Sequence, residues 1–393
     1  MNSLNEDAYA GTPGSGAELE HLSSVLIVGT GLIGTSVGLA LTARGVQVHL
    51  ADRSTAASTL AQELGAGIAQ EPQGEPELVI VATPPEAIAA VLMPLQDKYV
   101  NATFSDLASI KSQPQRDLES AGGDASRFVG GHPLAGRERS GAGAARADLF
   151  EGRPWVLTPS ASSTPLALGR ARQAALLCGA QVVTMTPTRH DQAVALVSHV
   201  PQLMATLTAA RLDGADRDLV DLSGQGIRDV TRVAASDPGL WTQILAANAP
   251  FVLQVLEGIA ADLHEAVAAL SAAARSDSGS GAGLGRHHDE SMDRLVEPLT
   301  RLLERGNAGQ GRIPGKHGTA PATYTSVPVV VSDSPGELAR LLVACGDAGI
   351  NVEDVSIEHS LGQPVGLVEI AVRPPAAEPL AQALRHRGWS VHF

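Results

Sequence analysis

The chain has 393 residues, 44% apolar and 18% charged, a globular composition with length enough for two or three domains. Acids outnumber bases 42 to 28, a net charge of −14, which argues against a general nucleic-acid binder or a polybasic membrane-surface protein but leaves room for a local basic pocket. Cys178 and Cys345 make neither a disulfide framework nor a Cys-based zinc site, and they suit a reducing, cytoplasmic setting.

Residues 1–22 carry acids, Gly and Ser without a basic n-region or an apolar h-region, and they read as a flexible tail with no signal peptide. From 23 to 187, short apolar runs at 25–28, 46–50, 78–81, 128–129, 155–157 and 182–183 alternate with Ala-rich helical stretches. That alternation predicts a mostly parallel sheet wrapped by helices. The uncharged stretch 24–43 would pass a crude hydropathy filter, but four glycines interrupt it and a second β-type run follows, so strand, helix and strand fit it better than a bilayer span. Across 188–312 the β signals stop, and apolar residues recur at helical spacing in 193–212 and 240–270. A Ser/Gly-rich break at 276–285 reads as a mobile loop between two helices, and 313–323 as a linker. The last segment, 324–393, follows a β-α-β-β-α-β pattern, with strands at 327–331, 352–358, 367–372 and 390–393 and helices at 336–348 and 378–387.

Gly29-Thr-Gly31-Leu32-Ile33-Gly34 lies between a predicted strand and a predicted helix, the context in which G-x-G-x-x-G marks a dinucleotide site. Gly29 permits the tight turn, Gly31 lets the backbone approach a pyrophosphate, and Gly34 lets the helix pack on the strand. Asp52, at the end of the second strand, can accept both ribose hydroxyls and would repel a 2′-phosphate, which favours NAD over NADP. The adjacent Arg53 is the group that would accommodate a phosphate instead. Thr83 ends the next β run on the ligand side, to touch the nicotinamide ribose or simply to close a turn.

Three clusters hold the remaining candidate chemistry: Asp106-Leu-Ala-Ser109-Ile-Lys111; Gly130-Gly-His132-Pro-Leu-Ala-Gly136-Arg-Glu138; and, in the helical block, His190-Asp191, Ser198-His199-Val-Pro-Gln202, Arg228-Asp-Val-Thr-Arg232 and Trp241. His132, framed by Gly131 and Pro133, suits proton transfer near neutrality, with Ser109 placed to orient its ring. Arg228 and Arg232, four apart on a helix, would present two guanidiniums on one face to a carboxylate-bearing substrate, or form a surface pair held by Asp229 or Asp221. Ser198 and His199 are no hydrolase dyad, because adjacent helical residues point about 100° apart. No His/Cys/Asp/Glu spacing indicates a metal site.

These motifs together resemble the prephenate dehydrogenase family of tyrosine biosynthesis, with its arogenate dehydrogenase relatives, over about residues 25–316. They are V-G-T-G-L-I-G at 28–34, D-L-A-S-I-K at 106–111, G-H-P-L-A-G-R-E at 131–138, H-D at 190–191, S-H-V-P at 198–201, and R-D-V-T-R with a later D-P-G-L-W across 228–241. The resemblance implies a Rossmann-type domain, an all-helical dimerisation domain forming a homodimer, and NAD-dependent oxidative decarboxylation of prephenate or arogenate. It makes His132 the base oriented by Ser109, Arg232 the holder of a substrate carboxylate, and Glu138 and Arg228 the frame of the pocket. Trp241 and His199 would shape or close that pocket. Gln202 stands where prephenate-specific relatives often carry a second His, so the choice between a keto and an amino side chain stays open. Arg137 replaces a small polar residue common in bacterial relatives. The last segment looks like a ferredoxin-like α+β ACT domain, where Asp333, Gly336, Gly349 and Asn351 would mark an amino-acid effector site for tyrosine.

Two other readings compete. A non-catalytic sensor of NAD and an amino acid would have no chemical reason to keep His132, Ser109 and Arg232 together. A hydroxy-acid dehydrogenase of the 3-hydroxyisobutyrate type would rely on a Lys base, and the helical block from 189 to 305 contains no Lys.

Overall fold

The computed structural model describes residues 22–135, 141–278, 287–314, 324–359 and 364–393. The chain divides into two compact units, one holding the residues up to Leu222 with Ile227–Ile259, the other Ser223–Gly226 with Ala260–Phe393. Most of the expected tail (1–21), loop (279–286) and linker (315–323) lies outside the described residues.

The first unit is built on a seven-stranded sheet. Its elements run β1 (Ser24–Val28), α1 (Leu32–Thr42), β2 (Gln47–Ala51), α2 (Thr55–Glu63), β3 (Leu78–Val81), α3 (Ile88–Lys98), β4 (Thr103–Asp106), α4 (Ser112–Ser120), β5 (Phe128–Pro133), β6 (Pro154–Pro159), α5 (Pro165–Leu177) and β7 (Gln181–Thr184). The strand order is β2-β1-β3-β4-β5-β6-β7, parallel except where β6 pairs antiparallel with β5. Alternate residues feed two cores: Val25, Ile27, Leu78 and Ile80 pack on one face, and Leu26, Val79 and Val81 on the other with Ile88, Leu92 and Phe104. A strand covered on both faces needs the near-continuous apolar run that these strands show. Leu22, assigned to the tail from the sequence, is buried in the first of these cores.

Beyond β7 the unit carries no strand among the described residues. The chain continues as α6 (Pro187–Val194), a π turn (Ala195–His199), α7 (Val200–Ala209), the short α8 (Arg217–Val220), α9 (Gln225–Thr231), a 3-10 turn (Arg232–Ala234), α10 (Pro238–Ala247) and α11 (Ala249–Ser278), with Gln225 and Gly226 of α9 and the residues of α11 from Ala260 onward counted in the second unit. Pro201 lies in the first turn of α7 and offers no N–H to the preceding coil, which fits a π turn at that point. Helices α10 and α11 bend by 92° at Asn248. Among the described residues no single helix is long and apolar enough to cross a membrane.

The second unit adds α12 (His287–Gln310), then β8 (Thr325–Ser332), α13 (Glu337–Asp347), β9 (Asp354–His359), β10 (Val365–Val372), α14 (Pro374–His386) and β11 (Ser390–Val391). Its four strands form one antiparallel sheet in the order β11-β8-β10-β9, and Val327, Val329, Val368 and Ile370 pack against Leu341, Cys345, Leu380 and Leu384. Helix α14 starts four residues before the expected 378, because Pro374 and Pro375 occupy the first turn, where no N–H is required.

Candidate active site

The carboxyl ends of β1 and β3 meet at the glycine turn. Gly29 has φ +105°, and a Cβ there would fall 2.5 Å from the Ala82 carbonyl oxygen; a Cβ on Gly34 would fall 2.0 Å from the Gly29 oxygen. Both positions therefore require glycine, and the chain turns straight into α1. A Cβ on Gly31 would meet nothing within 4 Å, which leaves open space over the first turn of α1, whose leading N–H groups have no side-chain cap. Leu32 and Ile33 begin that helix, half-buried against the core.

Asp52 is aimed back at this turn. Its Oδ2 accepts from Thr30 N at 2.7 Å and Thr30 Oγ1 at 3.0 Å, and its Oδ1 from Ser54 N at 2.9 Å. Burial pushes its pKa up, but the Thr30 and Ser54 hydrogen bonds outweigh it and hold the carboxyl below its ordinary range. Arg53 is exposed. Thr83 Oγ1, at the end of β3, is buried without a hydrogen-bond partner among the described residues. An uncapped helix N-terminus, an open glycine, an oriented carboxylate and an unpartnered hydroxyl fit the pyrophosphate and riboses of NAD.

The second half of the site centres on the end of β5. The Gly131 peptide is gripped on both sides: its N–H donates to Asp106 Oδ1 at 3.1 Å, and its oxygen accepts from Lys111 Nζ at 2.7 Å. Lys111 and Asp106 also form an ion pair whose side chains are fully buried. Burial lowers the Lys111 pKa, against the raising effect of Asp106. His132, half-buried, follows that peptide, and its Nδ1 lies 2.8 Å from Nε2 of His190 on α6. The Nδ1 of His190 is 2.8 Å from Asp191 Oδ1. Asp191 accepts from Lys111 N and Ser112 N, each at 2.8 Å, so α6 is tied to the start of α4. Burial, with His190, Lys111 and His199 nearby, drives the His132 pKa well below its ordinary value.

His199 ends the π turn. Its Nδ1 sits 3.0 Å from Asn248 Nδ2, which donates to the Asp191 carbonyl at 2.9 Å. An amide nitrogen only donates, so His199 Nδ1 accepts and its proton resides on Nε2. Burial pushes the His199 pKa down to about 4. Trp241 packs edge-on against this ring, centroids 6.2 Å apart.

The structure departs from sequence expectation at several residues. His190, not Ser109, engages His132 Nδ1; Ser109 is half-buried, and no hydrogen bond joins it to His132 among the described residues. Helix α9 ends at Thr231 and Arg232 opens the 3-10 turn, so Arg228 and Arg232 do not share one regular helix; both are exposed. The Gln202 amide, rather than standing free, donates to the Val233 carbonyl at 2.8 Å and braces the turn that carries Arg232. Glu138 and Arg137 lie outside the described residues. In the second unit, Gly336 and Gly349 have positive φ, the Asp333 backbone N–H donates to the Pro364 carbonyl, and Asn351 bonds Glu353. Asn248 carries only a faint sequence signal, a polar residue between two helical stretches and two residues before Pro250.

The fold and site together define an NAD-dependent dehydrogenase. Residues 37–184 match the nucleotide-binding domain of prephenate dehydrogenase, and residues 186–281 its dimerization domain. The chain is 39% identical over 376 residues to a probable prephenate dehydrogenase, NovF, of Streptomyces niveus, covering 94% of this chain and 100% of that relative. It is 30% identical over 361 residues to the prephenate dehydrogenase of Bacillus subtilis, covering 88% and 91%. Among solved structures, prephenate dehydrogenase from A. aeolicus in complex with hydroxyphenyl propionate and NAD+ superposes with a TM-score of 0.60 at 27% identity, over 73% of this chain and 98% of that one. The chain belongs to the prephenate dehydrogenase family.

The buried histidines make stability pH-dependent. A folded pKa below the unfolded one means that the unfolded chain takes up the proton first, so this contribution is complete above about pH 6.5 and is lost as pH falls toward about 4 for His199. The melting temperature should decline through that window, and His199→Gln should flatten the decline; an unchanged slope in that variant would sink the assignment.

Proposed function

We propose that the chain catalyses the NAD-dependent oxidative decarboxylation of prephenate to 4-hydroxyphenylpyruvate, with His132 as the base. The observation that carries this reading is a histidine held at the end of β5 with one ring nitrogen already engaged by His190. Bound NAD supplies the acceptor for the hydride that leaves the ring carbon bearing the hydroxyl. His132 takes the hydroxyl proton as that carbon becomes a carbonyl, then returns it to the oxygen once the ring carboxylate has left as CO2 and the ring is aromatic. Arg232, with Arg228 near it, holds a substrate carboxylate through charge-assisted hydrogen bonds. His199, with Nε2–H as a fixed donor, and Trp241 shape the pocket. Asp52 reads the adenine ribose and Thr83 the nicotinamide ribose, with Ser109 completing the polar lining.

NADH formation with prephenate or arogenate, each paired with NAD or NADP, tests the reading. Turnover of prephenate with NAD is expected, and arogenate oxidation alone would move the assignment to the arogenate reaction. His132→Asn should keep NAD binding and reduce kcat by about 100-fold or more; an undiminished rate would remove His132 as the base.

Leu196, Val197, Leu207, Leu240 and Leu253 are all exposed on the helical part of the first unit. A second copy of the chain covers such a surface in the proposed homodimer, so sedimentation at the mass of one chain would refute it. The β-α-β-β-α-β segment is proposed as an ACT domain that binds tyrosine around Asp333, Gly336, Gly349 and Asn351. Calorimetry should detect that binding; no heat, together with unchanged kinetics at saturating tyrosine, would refute it.

A further inference from the structure

We infer that His190 and Asp191 form a positioning relay that fixes His132 as its Nδ1–H tautomer and so leaves Nε2 as the nitrogen that accepts the substrate proton. The kinetic half of the test rests on the proposed reaction; the tautomer itself does not.

The Asp191 carboxylate only accepts hydrogen bonds, and its orientation is set by Lys111 N on Oδ1 and Ser112 N on Oδ2. The His190 nitrogen 2.8 Å from Oδ1 must therefore be a donor, Nδ1–H. A neutral ring has one proton, so Nε2 of His190 is an acceptor, and the His132 Nδ1 that lies 2.8 Å from it must donate. The lone pair of His132 is then on Nε2. A protonated His190 would reverse this result, but burial outweighs the attraction of Asp191 and holds its pKa below the ordinary value.

The charged and titratable groups around the two rings come from each packed element: Asp106 from β4, the Lys111 ammonium from the start of α4, Asp191 from α6 and His199 from the π turn. When His132 Nε2 gains the hydroxyl proton, its Nδ1–H bond breaks as an N–H bond forms at His190 Nε2. The positive charge then stands directly beside the Asp191 carboxylate. The reverse shift frees the proton when the product oxygen takes it back. No other co-reactant is needed.

The first test is the ¹⁵N NMR spectrum of the histidine-labelled full-length protein with NAD at pH 7.5, the His132 signals being those lost in His132→Asn. Protonated Nδ1 and bare Nε2 are expected; a proton on Nε2 would overturn the inference. In steady-state kinetics His190→Leu should reduce kcat by about 100-fold. The KM for prephenate and the affinity for NAD should stay within about threefold, a split that a general loss of structure would not give. His190→Gln, whose oxygen accepts and whose amide donates, should recover most of that rate. Wild-type kcat in His190→Leu, or no recovery in His190→Gln, would count against the relay. Should the leucine variant fail to fold, the wild-type spectrum still decides. The expected tautomer in an enzyme inactive on prephenate would keep the relay and remove the reaction instead.

Discussion

Two successive backbone N–H groups, of Lys111 and Ser112 at the start of α4, point at the two oxygens of one buried carboxylate, Asp191, each at 2.8 Å. Helix α4 has no side-chain cap from its own N-cap residue, so Asp191 supplies the cap from about 80 residues away. A carboxylate in that position benefits from the helix dipole as well as from the hydrogen bonds, each worth about 1.5–3 kcal/mol when one partner is charged. The same residue holds His190 through Oδ1 and Asn248 through its carbonyl. The end of the sheet, α6, and the bend between α10 and α11 are thus registered on one side chain, and the histidines inherit their positions from it.

A second device fixes the strand end on which His132 sits. The Asp106–Lys111 pair is wholly buried, and removing either partner would strand a charge at about 3–5 kcal/mol. Both members also bind the Gly131 peptide, one at its N–H and one at its oxygen. Position 131 admits no Cβ, since the Asp106 carbonyl would be 2.8 Å away. His132, the proposed base, therefore follows a backbone segment that cannot shift without breaking its hydrogen bonds to both members of a buried ion pair, the rigid placement that proton transfer requires.

Whatever depended on local pattern was legible in the sequence. Short apolar runs mark β1, β2 and β3, the glycine spacing marks the turn into α1, and the strand-helix order of the last segment is readable even where α14 begins early. Contacts across long separations were not readable. Ser109 was the nearest polar group in the recognisable motif, whereas the partner of His132 lies 58 residues away on α6. Asp191 looked like half of a small motif and turned out to cap a distant helix. Gln202 appeared to be a substrate reader, but its amide braces the turn after α9. Asn248 reaches the site only because two helices meet at 92°, an angle that hydrophobic periodicity does not encode.

The electrostatics of the cluster explain how two buried imidazoles, His190 and His199, sit together with the half-buried His132. Burial disfavours each charged ring, and Lys111 lowers His132 and His190 further, so at neutral pH all three are bases or neutral donors rather than cations. That alone would make His132 a reluctant proton acceptor. The two carboxylates, Asp106 and Asp191, are opposed by a single ammonium, which leaves one negative charge in the cluster while the histidines are neutral. In the proposed reaction a proton arriving at His132 cancels that charge instead of adding to a positive one, and through the inferred relay of His190 it rests against the carboxylate that carries it. Low basicity in the resting state and accommodation of the transferred proton follow from the same buried groups, because Lys111 is spent on Asp106 and the Gly131 carbonyl while Asp191 is left to the histidines.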